Sequence, residues 1–189
     1  SVISALTTLV YDGRRYDYFK KELINALRIV NGGHINISKM TGSWAGAMGQ
    51  CQFMPSSFIN YATDWDNDGS KNIWTSKPDV FASAANYLKR AGWSNKITWG
   101  RKVFIGNFKG KSDEKKYNLL SNWALNGVVK ANKEKLPNVK LKARLVIPDG
   151  YKKYGYLVYK NFDSLLKWNR SNYFAIAVGK LSDSIKENN

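Results

Sequence analysis

With 189 residues, 43% of them apolar and 14% aromatic, the chain has enough hydrophobic mass for one sizeable core and is not a disordered tail. Its 30 lysines and arginines outnumber 14 acidic residues, and the resulting formal charge of +16 calls for an anionic partner or anionic surroundings. Cys51 is the sole cysteine, which excludes an intrachain disulfide within these residues, and no apolar run approaches the ~20 residues that span a bilayer.

Residues 16–30 place Phe19, Leu23, Leu27 and Val30 at three- and four-residue spacing, which predicts an amphipathic helix ended by Asn31-Gly32-Gly33. His34, the only histidine, follows in that turn. The run from Gly42 to Ser57 is poor helix material, with three glycines and two alanines interleaved with Ser43, Gln50, Gln52 and Ser56. Short uncharged donors and acceptors on an accessible backbone suit a neutral polyhydroxylated ligand better than phosphate. The alternative is a helix crossing lined with small residues. Cys51 lies inside this run; it reads either as a nucleophile with His34 for its base or as a small buried apolar residue.

Asp64-Trp65-Asp66-Asn67-Asp68-Gly69-Ser70 sets three carboxylates at alternate positions ahead of a glycine, the first half of a calcium loop. Alternation lets hard oxygen ligands converge on one cation while the intervening side chains point away. The usual closing glutamate falls at Thr75, so Asp79 is expected to close the site, with the Ser70 carbonyl as a further ligand. A solvated acidic turn is the competing reading. Pro78 opens the next helix, with Phe81, Ala84, Ala85 and Leu88 as its apolar stripe and Gly92 as its stop. A third helix is expected from Ser112, as N-cap, through Tyr117, Leu120 and Trp123 to Gly127.

Beyond that the period shifts to two. Val139, Leu141, Ala143, Leu145 and Ile147 alternate with Lys140, Lys142, Arg144 and Val146, and after Pro148-Asp149-Gly150 comes Tyr156-Leu157-Val158-Tyr159, a strand pair. Helical spacing returns over 172–186 through Phe174, Val178, Leu181 and Ile185. The expected fold class is α+β, mainly α, as one domain over 1–189: a helical core at about 1–130, a small antiparallel strand pair at about 138–160, and a closing helix at about 172–186.

Six segments together closely resemble the membrane-bound lytic transglycosylase B family of bacterial peptidoglycan-cleaving enzymes. They are Tyr11-Asp12-Gly13-Arg14-Arg15, the run from Gly42 to Gly49, Gln52-Phe53-Met54-Pro55-Ser56, Asn86-Tyr87, Gly92-Trp93 and Trp168-Asn169-Arg170-Ser171. The resemblance, which runs over nearly the whole chain, implies a lysozyme-like transglycosylase domain in the periplasm or cell envelope. It also implies an EF-hand-like calcium loop built from Asp64, Asp66, Asp68, Ser70 and Asp79. Cleavage would fall between N-acetylmuramic acid and N-acetylglucosamine. One glutamate protonates the glycosidic oxygen, then removes the proton of the muramyl 6-hydroxyl and leaves a 1,6-anhydro sugar without water. By the same resemblance Ser43 and Gln52 line the cleavage site, Tyr87 and Asn169 border it, and Arg14 and Arg15 meet sugar or stem-peptide carboxylates. The structural alternatives are surface charge for the arginines, core for Tyr87 and a helix N-cap for Asn169.

One departure stands out. The family's catalytic glutamate precedes a glycine by four residues, upstream of the segment matching Tyr11 to Arg15, and none of Glu22, Glu114, Glu134 or Glu187 has a glycine at that spacing. No catalytic residue is therefore assigned. The domain is expected to lack its N-terminal part, along with any address or envelope anchor, and to be monomeric and inactive by itself. A glycan-binding remnant without activity is the alternative. Nucleic acid is the other anionic partner that +16 suggests, but Lys20-Lys21, Lys89-Arg90, Lys115-Lys116 and Lys152-Lys153 are scattered and no helix-turn-helix, zinc-finger or RNA-binding signature accompanies them. Nucleic acid is accordingly not expected.

Overall fold

In the computed structural model, which describes residues 1–106, 108, 116–148 and 153–188, the Ser1 hydroxyl accepts the amide of Ser4 and starts α1 (Val2–Tyr11). α1 packs on α2 (Tyr16–Asn31), which packs in turn on α3 (Pro55–Tyr61); with α4 (Lys77–Arg90) these belong to a first compact unit, Ser1–Arg90. α2 ends at Gly32 as expected. Its buried face is turned from the expected one: Phe19, Glu22, Asn25, Ala26 and Ile29 go in, while Leu27 is 47% exposed. Glu22 is the reason. α3 begins at Pro55 without a side-chain cap from Met54, and the Glu22 carboxylate supplies one, accepting the Ser56 amide at 2.8 Å and the Ser56 hydroxyl at 2.7 Å.

α4 shows the same displacement. The expected stripe fails, because Phe81 is 70% exposed while Asp79 and Ser83 are fully buried. Both anchor neighbouring backbone. Asp79 accepts the amides of Trp65 and Asn72, each at 2.8 Å, and the Ser83 hydroxyl accepts that of Thr63 at 2.9 Å. The run from Gly42 to Phe53 is not a helix crossing; it folds as two successive antiparallel bridges, Gly42 with Met48 and Met48 with Phe53. Gly46 and Gly49 have φ of 86° and 58°, and a Cβ at Gly49 would lie 2.6 Å from the Ile73 carbonyl oxygen. Those two glycines allow the loops to lie on the core.

The second unit, Ala91–Asn189, holds a five-stranded antiparallel sheet in the order β2-β4-β5-β1-β3. Its strands are β1 (Gly100–Phe104), β2 (Asn118–Leu119), β3 (Val129–Lys130), β4 (Lys142–Val146) and β5 (Tyr154–Val158). The expected strand pair is β4 with β5, pairing Leu145 with Leu157; the other three strands were not anticipated, two being only two residues long. On one face Val103, Leu145 and Leu157 meet α5 (Leu120–Leu125) through Leu120 and Trp123. On the other, Arg144, expected outside, is buried, with its guanidinium 5.1 Å from the Phe162 ring.

Phe162 lies in α6 (Lys160–Trp168) and stacks on Trp99, which donates to Asp183 of α7 (Asn172–Glu187) at 3.0 Å. α7 spans the expected helix but buries Ala175, Ile176 and Gly179, while Val178, Leu181 and Ile185 of the expected stripe are 37%, 62% and 56% exposed. A Cβ at Gly179 would come within 2.3 Å of the Trp99 ring. A small residue thus decides which face of α7 packs, because only there can the helix approach the indole. The third expected helix is shorter, since Tyr117 precedes it and Asn118–Leu119 is strand; Ser112 and the turn residues Asp149 and Gly150 lie outside the described residues. Charge is unevenly shared: residues 91–189 carry 20 cationic against 7 acidic side chains, a formal +13, whereas residues 1–90 carry 10 against 7.

Candidate functional site

The first unit contains a cavity of about 1030 Å³ between the turn after α2 and the small-residue run, with Asn72, Trp74 and Thr75 as its third wall. Backbone and side chains lock these walls together. The Trp74 indole N–H donates to the Thr41 carbonyl at 2.9 Å, and Gln50 donates its side-chain amide to the Trp74 carbonyl at 2.9 Å and its backbone amide to that of Ile73 at 2.9 Å. Asn72 accepts the amides of Trp74 and Thr75 at 3.1 and 3.0 Å, which shapes the third wall as an Asx turn. The lining is rich in neutral hydrogen-bonding groups, and among the described residues Lys39 is its one charged side chain and no carboxylate lines it.

Of the residues expected to hold sugar, Gln52 lines the cavity directly. It does so from a left-handed backbone, φ 49°, with its side-chain amide donating to the Gly49 carbonyl at 2.8 Å. Ser43 follows the lining residue Gly42; its hydroxyl accepts the amides of Ala45 and Ala47 at 3.3 and 3.1 Å, leaving the hydroxyl proton to be donated. Tyr87 does not line the cavity. It packs on Phe53 at 5.7 Å and on Tyr61 at 4.8 Å between ring centroids, and burial followed by the neighbouring Tyr61 pushes its phenol pKa up.

Arg14 and Arg15 are exposed and also stand outside the lining; Arg15 takes φ 54° and lays its guanidinium 4.3 Å from the Tyr18 ring centroid. Asn169, in the second unit, ends α6 with its amide on the Leu165 carbonyl at 3.0 Å, so it is a C-cap; the N-cap of α7 is Ser171. The sequence reading missed Asn36, Lys39, Asn72, Trp74 and Thr75 as lining groups. The Gly32-Gly33 turn and the position of Thr75 after the acidic loop were the available signals.

Cys51 and His34 form no nucleophile and base pair. The Cys51 thiol is buried against the Val80 carbonyl at 3.5 Å and burial pushes its pKa up to about 11, while His34 Nδ1 accepts the Lys71 amide at 3.4 Å. Burial, then Lys71, lowers the imidazole pKa against an opposing pull from Asp64. The acidic loop does converge. Asp64, Asp66 and Asp79 bring carboxylate oxygens within 4.8 Å of one another, a hard-oxygen set that fits a calcium-sized ion. Asp68 turns its carboxylate to the Ser70 amide at 2.8 Å, and the Ser70 hydroxyl donates to the His34 carbonyl at 3.0 Å, which ties the loop to the cavity wall.

Three comparisons with known proteins agree. Residues 1–183 match the transglycosylase SLT domain. The chain is 33% identical over 192 residues to the membrane-bound lytic murein transglycosylase B of Escherichia coli, covering 97% of this chain and 50% of that protein. The Pseudomonas aeruginosa protein SltB3, solved with NAG-anhNAM-pentapeptide, superposes with a TM-score of 0.89 at 41% identity over 98% of this chain and 50% of its own. The Escherichia coli lytic transglycosylase Slt35, solved with calcium, gives 0.81 at 30% identity over 99% and 59%. The chain therefore spans about half the length of the relatives it matches.

Proposed function

Because the chain belongs to the transglycosylase SLT domain family and has its lysozyme-like fold, we propose that residues 1–189 act as one domain that holds a peptidoglycan glycan strand for lytic cleavage. The observation that carries this reading is the cavity beside Gln52. It offers amides, hydroxyls and an indole to a polyhydroxylated ligand, in a chain 41% identical to a protein solved with a glycan-pentapeptide fragment. Gln52 and the Ser43 hydroxyl hold the sugar and its acetamido group. Tyr87 borders the strand, and Arg14 and Arg15 meet carboxylates of the sugar or stem peptide. The same cleft serves either an active enzyme or a glycan-binding remnant.

Among the described residues no carboxyl proton donor stands at the cavity. Glu22 is 2% exposed and spends both carboxylate oxygens on Ser56, and no described carboxylate lines the cavity. In this proposal a glutamate outside these 189 residues protonates the leaving oxygen. It then takes the muramyl 6-hydroxyl proton as that oxygen bonds to C1, giving the 1,6-anhydro product with no water consumed. Asp64, Asp66 and Asp79, whose carboxylates converge, would hold a structural calcium ion in an EF-hand-like loop, with Asp68 turning from the Ser70 amide to join them beside the Ser70 carbonyl; the ion would supply rigidity and no chemistry. The working place of such a domain is the periplasm or envelope; among the described residues no helix is long and apolar enough to cross a membrane.

Purified sacculi and NAG-NAM-pentapeptide test the reading together. The chain is expected to bind the muropeptide, to lose most of that binding in Gln52→Ala, and to release no anhydro-muropeptide detectable by mass spectrometry. Undiminished binding by Gln52→Ala would move the ligand elsewhere, and anhydro product from this chain would return the acid to one of its own carboxylates.

A further inference from the structure

In the second unit an open groove of about 560 Å³ runs between α5 and residues 135–138. Leu120, Val128 and Leu136 form its buried floor, and Leu125 stands at its edge 86% exposed. A single exposed leucine needs no explanation, but one beside a depression floored by aliphatic side chains marks a surface prepared for contact. The surrounding charge restricts what can sit there. Residues 130–142 carry five lysines and a single acid, Glu134, already ion-paired to Lys130 at 2.8 Å. Lys135 lines the groove itself, and among the described residues no carboxylate does.

We propose that this groove docks an acidic segment of another protein, which inserts a bulky apolar side chain between Leu125 and Leu136 and sets a carboxylate against Lys135, the charged side chain of its lining. Charge complementarity selects this occupant. A second copy of the chain would bring its own +16 to the contact, and a neutral lipid would use the apolar floor while making no use of Lys135. Apolar insertion supplies most of the affinity, and Lys135, within a unit of formal charge +13, supplies selectivity and a fast, salt-sensitive encounter.

The test titrates the chain with the synthetic peptide Ac-Glu-Asp-Leu-Phe-Asp-Glu-NH2 by calorimetry and by NMR shifts. Two control peptides separate the terms: one replaces Leu-Phe by Ser-Ser at constant charge, the other replaces every acid by its amide. Binding with shifts at Ala124 and Val129 is expected, with at least a tenfold loss for either control peptide and for Leu125→Glu or Lys135→Glu. Those two side chains are exposed, so an unchanged thermal melt verifies the fold of each variant. Equal binding of either control peptide, equal binding by the variants, or no binding of the parent peptide overturns the proposal. A dimer in sedimentation that Leu125→Glu abolishes would overturn it in favour of self-association.

Discussion

Gln52 shows how much a single backbone angle can carry. Its φ of 49° is the left-handed region, where a side chain with a Cβ is strained by about 1–3 kcal/mol, and it is held there at the edge of the cavity of about 1030 Å³ in the first unit. Stability and ligand recognition should therefore separate at this residue. Gln52→Gly is expected to unfold at higher urea, by about 1 kcal/mol, while losing muropeptide binding; an unchanged or lower midpoint would show that the left-handed turn costs nothing here. That Gln52 lies on an accessible surface was legible from its place in the small-residue run. The role of Glu22 was not, because nothing in the spacing of α2 announces that its carboxylate caps α3, 34 residues further on. Long-range capping leaves no local periodic trace.

At the scale of elements, the existence of α2, α4 and α7 was legible and the direction each faces was not. Spacing of Phe81 with Leu88, or of Val178 with Leu181, identifies a helix whichever side packs. What turned the faces was polar or small. Asp79 and Ser83 go inward to hold loop amides, and Gly179 goes inward because Trp99 occupies the space a Cβ would take. The acidic loop brings Asp64, Asp66 and Asp79 together, a convergence that alternate aspartates encode more directly than an apolar stripe encodes a buried face, although Asp68 is not part of that cluster. Its prediction follows from the cluster of Asp64, Asp66 and Asp79. Calcium binding only the native state raises stability by about 2.7 kcal/mol at a hundredfold excess over Kd. Thermal melts should rise with calcium and fall with chelator, and the difference should vanish in Asp66→Ala with Asp68→Ala. Coincident midpoints with and without the ion would leave a solvated acidic turn.

For the molecule as a whole, short motifs placed the chain in its family, while the five-stranded sheet was read as a pair because two of its strands are two residues long and β1 does not alternate. The total charge was legible, and its partition between the two units is lopsided. With a formal +13 in residues 91–189 against +3 in residues 1–90, retention on an anionic wall polymer should fall linearly with the logarithm of salt concentration. The slope should shrink when Lys133, Lys135 and Lys140 are changed to glutamine, and hold when Lys20 and Lys21 are. Equal slopes in both variants would assign the attraction to the chain at large. The lopsided charge also fixes the thermodynamic character of that attraction. Each lysine that met a polymer charged densely enough to condense counterions would free one into solution, so such association would gain mixing entropy from small ions, draw little heat, and hardly change with temperature while responding steeply to the ionic strength around it.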